Sequence, residues 1–353
     1  MNLKKRILVA PLNWGLGHAT RCIPIIRALI EHEFEPVIAS DGSALELLKK
    51  EFPKLEHIEL PSYNIKYSKK KKNFKLKLIK DTPKVLKAIK AEKKQVKELV
   101  KNSNIKGIIS DNRMGIYSKQ VPSVFLTHQL NVLSGSTTWF SSKLHQRVIK
   151  KFDICWVPDL KDAPNLSGKL GHSETFDSSL KYIGPISRFE KQDMPIKYDL
   201  LVLLSGPEPQ RTLLEEKLLK ELEHSNKKIV FVRGVVEGEQ IQVEKGHIDI
   251  YNFMTSNELE RTINESDMVL SRSGYTTIMD LAKLNKKAYF IPTPGQFEQE
   301  YLSKLLDEQG IAPSCSQDDF TIDKLDLVEN YKGLKAFDYK LNYANLFGLF
   351  EGE

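Results

Sequence analysis

The chain has 353 residues, of which 41% are hydrophobic. At roughly 100 to 200 residues per domain, this length and composition predict two domains with cores of their own, and they exclude a disordered chain or a small disulfide-stapled protein. The net charge of +7 is local, because residues 66–101 hold fifteen lysines, no arginine and three acidic residues. We therefore expect a basic segment on a mildly acidic body.

The cysteines and the apolar runs indicate the compartment. Cys22, Cys155 and Cys315 are widely spaced and odd in number, which suits a reducing cytoplasm and predicts no structural zinc. No apolar run approaches the roughly 18 residues that a membrane-spanning helix needs. Pro11 and Asn13 interrupt the first apolar run short of a signal-peptide core. These patterns predict a cytoplasmic protein.

The first half of the chain alternates between predicted strands and helices. The strand RILVAP is followed by the turn NWGLGH, the helical pattern ATRCIPIIRALIEH and a second strand, EPVIAS. Further strands are predicted at KGIISDN, VPSVFLTHQ and DICWVP, with a helix at SSKLHQRVIKKF before the last of them. This order with short turns is typical of a parallel, doubly wound sheet.

Residues 188–198 are polar and aperiodic, and we interpret them as a linker. Strands are predicted beyond it at DLLVLLSG, KKIVFVRG, HIDIYNF, DMVLSRSG and KAYFIP, with helices from Thr212, Asn257 and about Gln299. The predicted fold class is α/β, with two Rossmann-like doubly wound parallel-sheet domains facing a cleft. The domains are expected at 1–187 and 199–335, followed by a terminal helix at 336–353. Ligands of such sheets bind beyond the carboxyl ends of the strands.

The most informative pattern follows the strand DMVLS. The turn Arg272-Ser273-Gly274 precedes a helix that begins near Tyr275, so unpaired helix amides are expected to bind phosphate. Hydroxyls for the same phosphate come from Ser273, Thr276 and Thr277. Asp280 follows in that helix, where it is placed to accept hydrogen bonds from ribose hydroxyls. The alternative is an ordinary capped helix with a polar loop.

Glu298 and Gln299 lie one strand and one loop later and offer groups for sugar hydroxyls, so the contacts in chain order describe a nucleotide-sugar. This arrangement resembles the donor signature of inverting glycosyltransferases of the GT-B fold. The spacing from Pro292 to Gln299 is most similar to the MurG-like peptidoglycan N-acetylglucosaminyltransferases of family 28. The resemblance implies that Asp280 stands where the ribose-binding acid is usually Glu and that Gln299 contacts the donor sugar. Ser303-Lys304 departs from the Asn-Ala usual in that family.

A second candidate loop contains Ser205, Gly206 and Arg211, after the first strand of the C-terminal half. The resemblance implies a position near the donor phosphates, where Arg211 would supply positive charge. The alternative is a simple strand terminator.

The first strand is followed by Gly15, Gly17 and His18. A dinucleotide fingerprint fails here because Thr20 replaces the third glycine. The resemblance implies an acceptor-side loop whose histidine removes a proton from the attacking hydroxyl, as imidazole can near neutral pH. A histidine that caps the helix or contacts phosphate is the alternative.

Polar residues after two later strands complete the predicted site. Asp111 is expected to orient His18, the role that an aspartate has beside a catalytic histidine. Arg113, His128 and Gln129 are predicted acceptor contacts, the last two because they resemble a His-Glu-Gln segment of the peptidoglycan family. Any of them could instead be a satisfied polar turn residue.

The lysine-rich segment predicts a helix laid on the sheet, because Leu78, Val85, Leu86, Ile89, Val96 and Leu99 follow helical spacing. Its first part, 66–77, mixes lysines with Phe74 and Leu76, which favours contact with an anionic membrane surface over a merely solvated helix. Nucleic acid is not expected, since arginine is absent and aromatic residues are few.

Together these residues predict an inverting, metal-independent glycosyltransferase that needs no cofactor. It would move a hexose or N-acetylhexosamine from a nucleotide diphosphate-sugar, UDP-linked by the resemblance, to an acceptor hydroxyl on a lipid or cell-envelope glycan. The predicted location is the cytoplasm or the inner face of its membrane. A UDP-sugar 2-epimerase on the same fold and a non-catalytic nucleotide- or polyanion-binding protein remain alternatives.

Overall fold

The structure, a computed structural model, describes residues 4–63, 74–133, 135, 138–163, 165–174, 176, 179–206, 208–235, 238–334 and 341–352. These residues divide into two compact units. The first contains the described residues up to 186, except Phe74, together with the C-terminal segment 341–352, and the second contains those from 187 to 334. The chain therefore returns to the first unit at its end.

The first unit is built on a seven-stranded sheet in the order β3-β2-β1-β4-β5-β6-β7, in which each neighbouring pair is parallel. The strands are β1 (Arg6–Pro11), β2 (Glu35–Ser40), β3 (Glu56–Glu59), β4 (Ile105–Asp111), β5 (Ser123–Leu126), β6 (Ile154–Val157) and β7 (Leu180–Tyr182). Its helices are α1 (Gly17–Glu31), α2 (Gly42–Glu51), α3 (Phe74–Asn102), α4 (Thr138–Ile149) and α9 (Tyr343–Glu351). This is the predicted α/β architecture.

The strand order reverses between β1 and β4, and this reversal positions the first group of candidate residues. Chain connections leave the two strands in opposite directions, which opens a crevice at their carboxyl ends. Pro11 at the end of β1 lies opposite Asp111 at the end of β4. The glycine-rich turn after β1 therefore begins beside Asp111.

The terminal helix α9 is part of the first unit's core. Phe347 and Phe350 are buried in one hydrophobic cluster with Ile7 of β1 and Ile26 of α1. A Cβ on Gly107 would lie 2.3 Å from Cδ1 of Phe350, so the missing side chain makes room for that ring. Glycine in β4 thus permits close packing of a helix that is distant in sequence.

Helix α3 contains the described part of the lysine-rich segment. Val96 is buried, and Val85 and Ile89 are partly buried, as the periodicity predicts. Leu86 is 53% exposed, so its assignment to the packed face is wrong: the buried stripe is narrower than the apolar pattern. Residues 64–73 lie outside the described residues, and nothing is described of the side chains at 74–82, which include Leu78. The membrane contact predicted for residues 66–77 therefore lies outside what the structure describes.

The second unit has a six-stranded sheet in the order β10-β11-β9-β8-β12-β13, parallel except for the pair β10–β11. Its strands are β8 (Tyr198–Leu203), β9 (Ile229–Val232), β10 (Gln242–Lys245), β11 (Ile248–Tyr251), β12 (Ser266–Ser271) and β13 (Lys287–Phe290). Its helices are α5 (Gln210–Leu222), α6 (Ser256–Asn264), α7 (Tyr275–Lys283) and α8 (Phe297–Glu308), followed by a 3₁₀ helix at Ile322–Asn330. Here the order reverses between β8 and β12, so the loops after these strands flank the crevice of the second unit.

Gly234, just after β9, holds the loop after β8 close. Its φ of +70° lies in the left-handed region, and a Cβ there would be 2.2 Å from the carbonyl oxygen of Leu204. Glycine is therefore required both for conformation and for space. Within the described part of the chain, no helix has the length and apolar character needed to cross a bilayer.

Candidate catalytic and donor-binding residues

The crevice of the first unit brings His18 and Asp111 together. Nδ1 of His18, in the first turn of α1, lies 2.9 Å from Oδ1 of Asp111. The Asp111 side chain is fully buried, whereas 15% of the His18 side chain is exposed. A carboxylate on Nδ1 favours the tautomer that carries its proton there, which leaves Nε2 as a proton acceptor. This is the pairing predicted from the sequence.

Arg21, one turn beyond His18 on α1, binds the same carboxylate. Its Nε donates to Oδ2 of Asp111 at 2.5 Å, and its Nη2 donates to Oδ1. Nη1 lies 2.9 Å from Nδ1 of His128, in the loop after β5. Sequence reasoning missed Arg21, although its position three residues after His18 on a helix indicates the same face.

The charge of Asp111 is set by this cluster. Burial alone would raise its pKa, but Arg21 and His18 outweigh burial and hold the pKa well below its ordinary range. Cys22 Sγ lies 3.7 Å from Oδ2, and the amide of Asn112 donates to Oδ1 at 3.3 Å. Burial, followed by the charge of Asp111, raises the pKa of the Cys22 thiol, so Asp111 is the anion here.

Arg113 requires a correction. It is fully buried, and its guanidinium donates to Glu92, to Asp41 and to the carbonyl of Pro61 at 2.8 to 3.0 Å. Its donors are used inside the unit, where they join α3 to the loops after β2 and β3. We therefore assign Arg113 a structural role instead of acceptor contact.

The other predicted acceptor residues surround the crevice of the first unit. Gly15 has φ +75° with open space where a side chain would be, and Gly17 begins α1. His128 is buried against Arg21, while Gln129 is half-buried and its backbone N–H donates to Thr127 Oγ1. The structure thus brings His128 to His18 through Arg21.

In the second unit, the N-terminus of α7 follows β12 directly. Gly274 is the N-cap residue and has no side chain of its own to cap the helix, and Gly274, Thr276 and Thr277 are half-buried. Ser273 differs, because it is fully buried and its Oγ donates to the carbonyl of Gln299 at 2.8 Å. Ser273 therefore ties α8 to this loop, and the accessible hydroxyls are the two threonines.

The amide nitrogen of Gln299 points toward Gly274 at the N-terminus of α7. Its Oε1 accepts a hydrogen bond from the Thr293 N–H at 2.8 Å, which fixes the amide orientation. A Cβ built on Gly274 would have Nε2 of Gln299 and Oγ1 of Thr277 at 3.9 Å. Glu298, its predicted partner, is half-buried in the first turn of α8. The structure hence joins the two predicted donor segments.

Asp280 lies in α7, buried and held by the segment before β8. Its Oδ1 accepts a hydrogen bond from Ser187 Oγ at 2.7 Å. Burial raises its pKa to about 6, partly offset by the charge of Arg188, the Ser187 bond and the Arg188 backbone N–H. A ribose hydroxyl would have to share this carboxyl with Ser187.

Two predicted phosphate-binding arginines are occupied within the unit. Arg272 is 1% exposed and donates to the carbonyls of Ile291, Pro292 and Gln210 and to Gln317 Oε1, and burial lowers its pKa to about 9. Arg211 pairs with Glu208 and Glu215. Both corrections have one cause, since a buried guanidinium must be satisfied by the fold.

The loop after β8 keeps Ser205 and Gly206 half-buried, and Gly206 has φ +107° with open space around its Cα. A residue that sequence reasoning missed lies beside it. Arg233 follows β9, has a 41% exposed side chain and pairs with Glu215 at 2.6 Å. Its position at the end of a predicted strand is the sequence feature that could have identified it.

Helix α4 of the first unit exposes an apolar and basic face. Trp139, Phe140 and Leu144 are 72%, 65% and 54% exposed. Lys143 and Arg147 lie on the same exposed side. Residues 138–152 contain no acidic residue. We call these five residues the α4 face.

The C-terminal part of the chain matches a known protein family. Residues 209–334 match the glycosyltransferase family 28 C-terminal domain. A UDP-N-acetylglucosamine--N-acetylmuramyl-(pentapeptide) pyrophosphoryl-undecaprenol N-acetylglucosamine transferase of Haemophilus ducreyi is 23% identical over 60% of this chain and 58% of that protein. The transferase of the same name from Clostridium tetani is 26% identical over 99% of this chain and 98% of that protein. In four curated relatives, including the first, the chain spans only 55 to 58% of their length.

Solved structures agree on the fold. MurG of Acinetobacter baumannii is 15% identical with a TM-score of 0.52, covering 93% of this chain and 90% of that chain. A putative UDP-N-acetylglucosamine 2-epimerase of Listeria monocytogenes is 10% identical with a TM-score of 0.51, and the match covers 86% of this chain and 88% of that chain. At these identities the likeness concerns the fold alone. The chain therefore has the GT-B fold, and its residues 209–334 are similar to the C-terminal domain of glycosyltransferase family 28.

Proposed function

We propose that this chain is an inverting glycosyltransferase that moves a hexose or N-acetylhexosamine from a UDP-linked donor to an acceptor hydroxyl. The observation that carries the proposal is the 2.9 Å pairing of His18 Nδ1 with the buried Asp111 carboxylate. A nucleotide-binding protein without turnover needs no oriented base of this kind. The family 28 domain and the GT-B fold support the same class of reaction.

In the proposed reaction, His18 acts as the general base. Nε2 takes the proton of the acceptor hydroxyl as its oxygen attacks the anomeric carbon of the donor sugar. The glycosidic bond to the nucleotide diphosphate breaks, and its electron pair leaves with the diphosphate. Asp111 stabilises the imidazolium that forms. A single displacement of this kind inverts the anomeric configuration.

The leaving diphosphate is assigned to the N-terminus of α7. Arg211 and Arg272 are satisfied within the fold, so we assign its charge to the first amides of α7, with the hydroxyl of Thr277 beside them. The amide of Gln299 lies beside Gly274, where it is placed for the donor sugar. The proposal therefore expects transfer to persist when EDTA is added.

The test uses His18→Ala with UDP-N-acetylglucosamine labelled in the sugar and a cell-envelope lipid extract as acceptor. Loss of the base is expected to lower transfer of label to lipid by ~10²-fold or more. Calorimetry should find unchanged UDP affinity, since α7 belongs to the other unit. Transfer by His18→Ala at the wild-type rate would contradict the proposal.

The epimerase alternative has one supporting observation, the shared fold of the Listeria protein. It predicts a different result in the same reaction mixture. Without acceptor, an epimerase converts UDP-N-acetylglucosamine to its C2 epimer, which chromatography separates from the substrate. Epimer formed without lipid extract would replace the transferase proposal, whereas label in lipid alone supports it.

We further infer that the acceptor is lipid-linked and that the chain docks on an anionic membrane through the α4 face. Aromatic and aliphatic side chains beside cations suit the boundary between headgroups and acyl chains. Each cation near such a surface contributes about 1 kcal/mol before screening. The MurG-like relatives carry an undecaprenol acceptor in their names, which supports a lipid surface as partner.

Vesicle sedimentation tests this inference. The wild type should bind vesicles of phosphatidylglycerol and phosphatidylcholine but not pure phosphatidylcholine, and Trp139→Ser with Phe140→Ser should weaken binding at least tenfold. Ile241→Ser with Val243→Ser is the matched control, because these residues are 53% and 54% exposed in the second unit. Undiminished binding by the α4 variant would overturn the inference.

A further inference from the structure

Arg21 is a buried cation at the centre of the first unit's site. It is 2% exposed, and its guanidinium contacts three side chains of the cluster. Nε and Nη2 donate to the two oxygens of Asp111, Nη1 lies 2.9 Å from His128 Nδ1, and Nη2 lies 3.0 Å from His18 Nδ1. One residue thus touches both histidines and the carboxylate between them.

The contact with His128 has only one consistent proton arrangement. A guanidinium has five N–H donors and no acceptor. Nδ1 of His128 must therefore accept the hydrogen bond from Nη1, and a neutral His128 carries its proton on Nε2. His128 is thereby left as a hydrogen-bond donor through Nε2.

His18 is placed in the opposite form. Asp111 is ionised and only accepts hydrogen bonds, so His18 Nδ1, at 2.9 Å from Oδ1, carries the proton. Arg21 Nη2 cannot then donate to that nitrogen, and it donates to Oδ1 of Asp111 instead. His18 is left as an acceptor through Nε2.

We infer that Arg21 is a positioning residue that sets opposite neutral tautomers on two histidines, the base form on His18 and the donor form on His128. The use of His18 as base rests on the proposed function. The tautomers themselves do not.

The test is ¹⁵N NMR of the protein labelled in histidine, because two-bond ring couplings distinguish the tautomers. The wild-type spectrum should assign the proton to Nδ1 in His18 and to Nε2 in His128. Arg21→Lys keeps a charge but loses the planar fork, so His128 should change to an average of both tautomers. An Nδ1 proton on wild-type His128, or unchanged tautomers in Arg21→Lys, would overturn the inference.

Kinetics separate positioning from structure. Arg21→Lys should lower kcat more than tenfold and leave KM for UDP-N-acetylglucosamine within twofold, since the donor is assigned to the other unit. Arg27→Lys is the matched control on α1, because its side chain is 38% exposed and its contact with Glu51 is long, at 3.5 Å. If His18→Ala transfers sugar normally while the tautomers stand as assigned, the proposed function fails and the inference about Arg21 survives.

Discussion

Asp280 has an environment that disfavours its charge. It is buried in α7, and burial raises its pKa from an ordinary 3.8 to about 6. The sequence predicts that it binds ribose, yet one of its oxygens accepts a hydrogen bond from Ser187. The same carboxyl therefore serves the fold through Ser187 and is available to a ligand only by exchange of that hydrogen bond.

The raised pKa predicts how stability depends on pH. Well below pH 4 the carboxyl is protonated in both the folded and the unfolded state. Between about pH 4 and 6 it ionises in the unfolded state while the folded state keeps it protonated, so stability falls as pH rises, and the loss is complete once both states are ionised above the folded pKa. Urea unfolding from pH 4 to 7 should therefore show wild type losing about 2 kcal/mol relative to Asp280→Asn. Asp318→Asn is the control at an exposed position, and its difference in unfolding free energy from wild type should stay the same across this pH range. A constant difference between wild type and Asp280→Asn would contradict the assignment.

The sequence predicts the contacts of some of the site residues correctly and those of others wrongly. His18 and Asp111 were found because both follow strands that a parallel sheet makes neighbours. Arg113 was misassigned because its partners Asp41 and Glu92 are 72 and 21 residues away, and the sequence around Arg113 contains no pattern that predicts this pairing. Arg272 was misassigned for the same reason, since its partners Gln210 and Gln317 are 62 and 45 residues away. Arg211 is different, because its partners Glu208 and Glu215 are only three and four residues away and its pairing could have been read from the helical spacing.

Helices and strands position these residues through a few close approaches. The loop after β8, which the sequence resemblance predicts to lie near the donor phosphates, contacts Gly234 after β9 so closely that a side chain there would meet the Leu204 carbonyl. The glycine thus links two neighbouring strand ends. The shape of the loop depends on it.

Gly234→Ala tests that link. Because a Cβ would lie 2.2 Å from backbone, the substitution must displace the loop after β8, and we expect loss of more than 2 kcal/mol of unfolding free energy and weaker UDP binding. Gly246→Ala is the control, since its φ of +62° is similar and its surroundings are open. Calorimetric melting should show a cost of only about 1 kcal/mol for the control. Equal losses of unfolding free energy in the two variants would contradict this, because backbone strain alone would then account for the effect of Gly234→Ala.

Element types were predictable because buried apolar runs mark parallel strands. β1, β4 and β12 begin or end close to the predicted runs RILVAP, KGIISDN and DMVLS. The short strands β3, β7 and β10 were not predicted. β3 and β10 are polar, and β7 has only three residues, so each lacks the apolar run that signals a buried strand.

The two units divide the proposed work between them. The first carries the base His18 with Asp111 and Arg21, and the second carries the α7 N-terminus with Gln299. The two-sheet plan was predicted from the restart of strand–helix alternation after residue 198. The packing of α9 into the first unit could not be, because it depends on tertiary contacts such as Phe350 on Gly107.

Calorimetric titration of UDP into wild type and Gly274→Ala is the decisive experiment. Gly274 has φ −72°, and a Cβ there meets nothing closer than 3.9 Å, so alanine should leave the melting temperature unchanged. The same methyl group would stand where phosphate must approach the amides of α7. We predict that wild type binds UDP and that Gly274→Ala binds it at least tenfold more weakly. Absence of UDP binding by wild type, or equal affinity in the two proteins, would contradict the assignment of the donor to this helix.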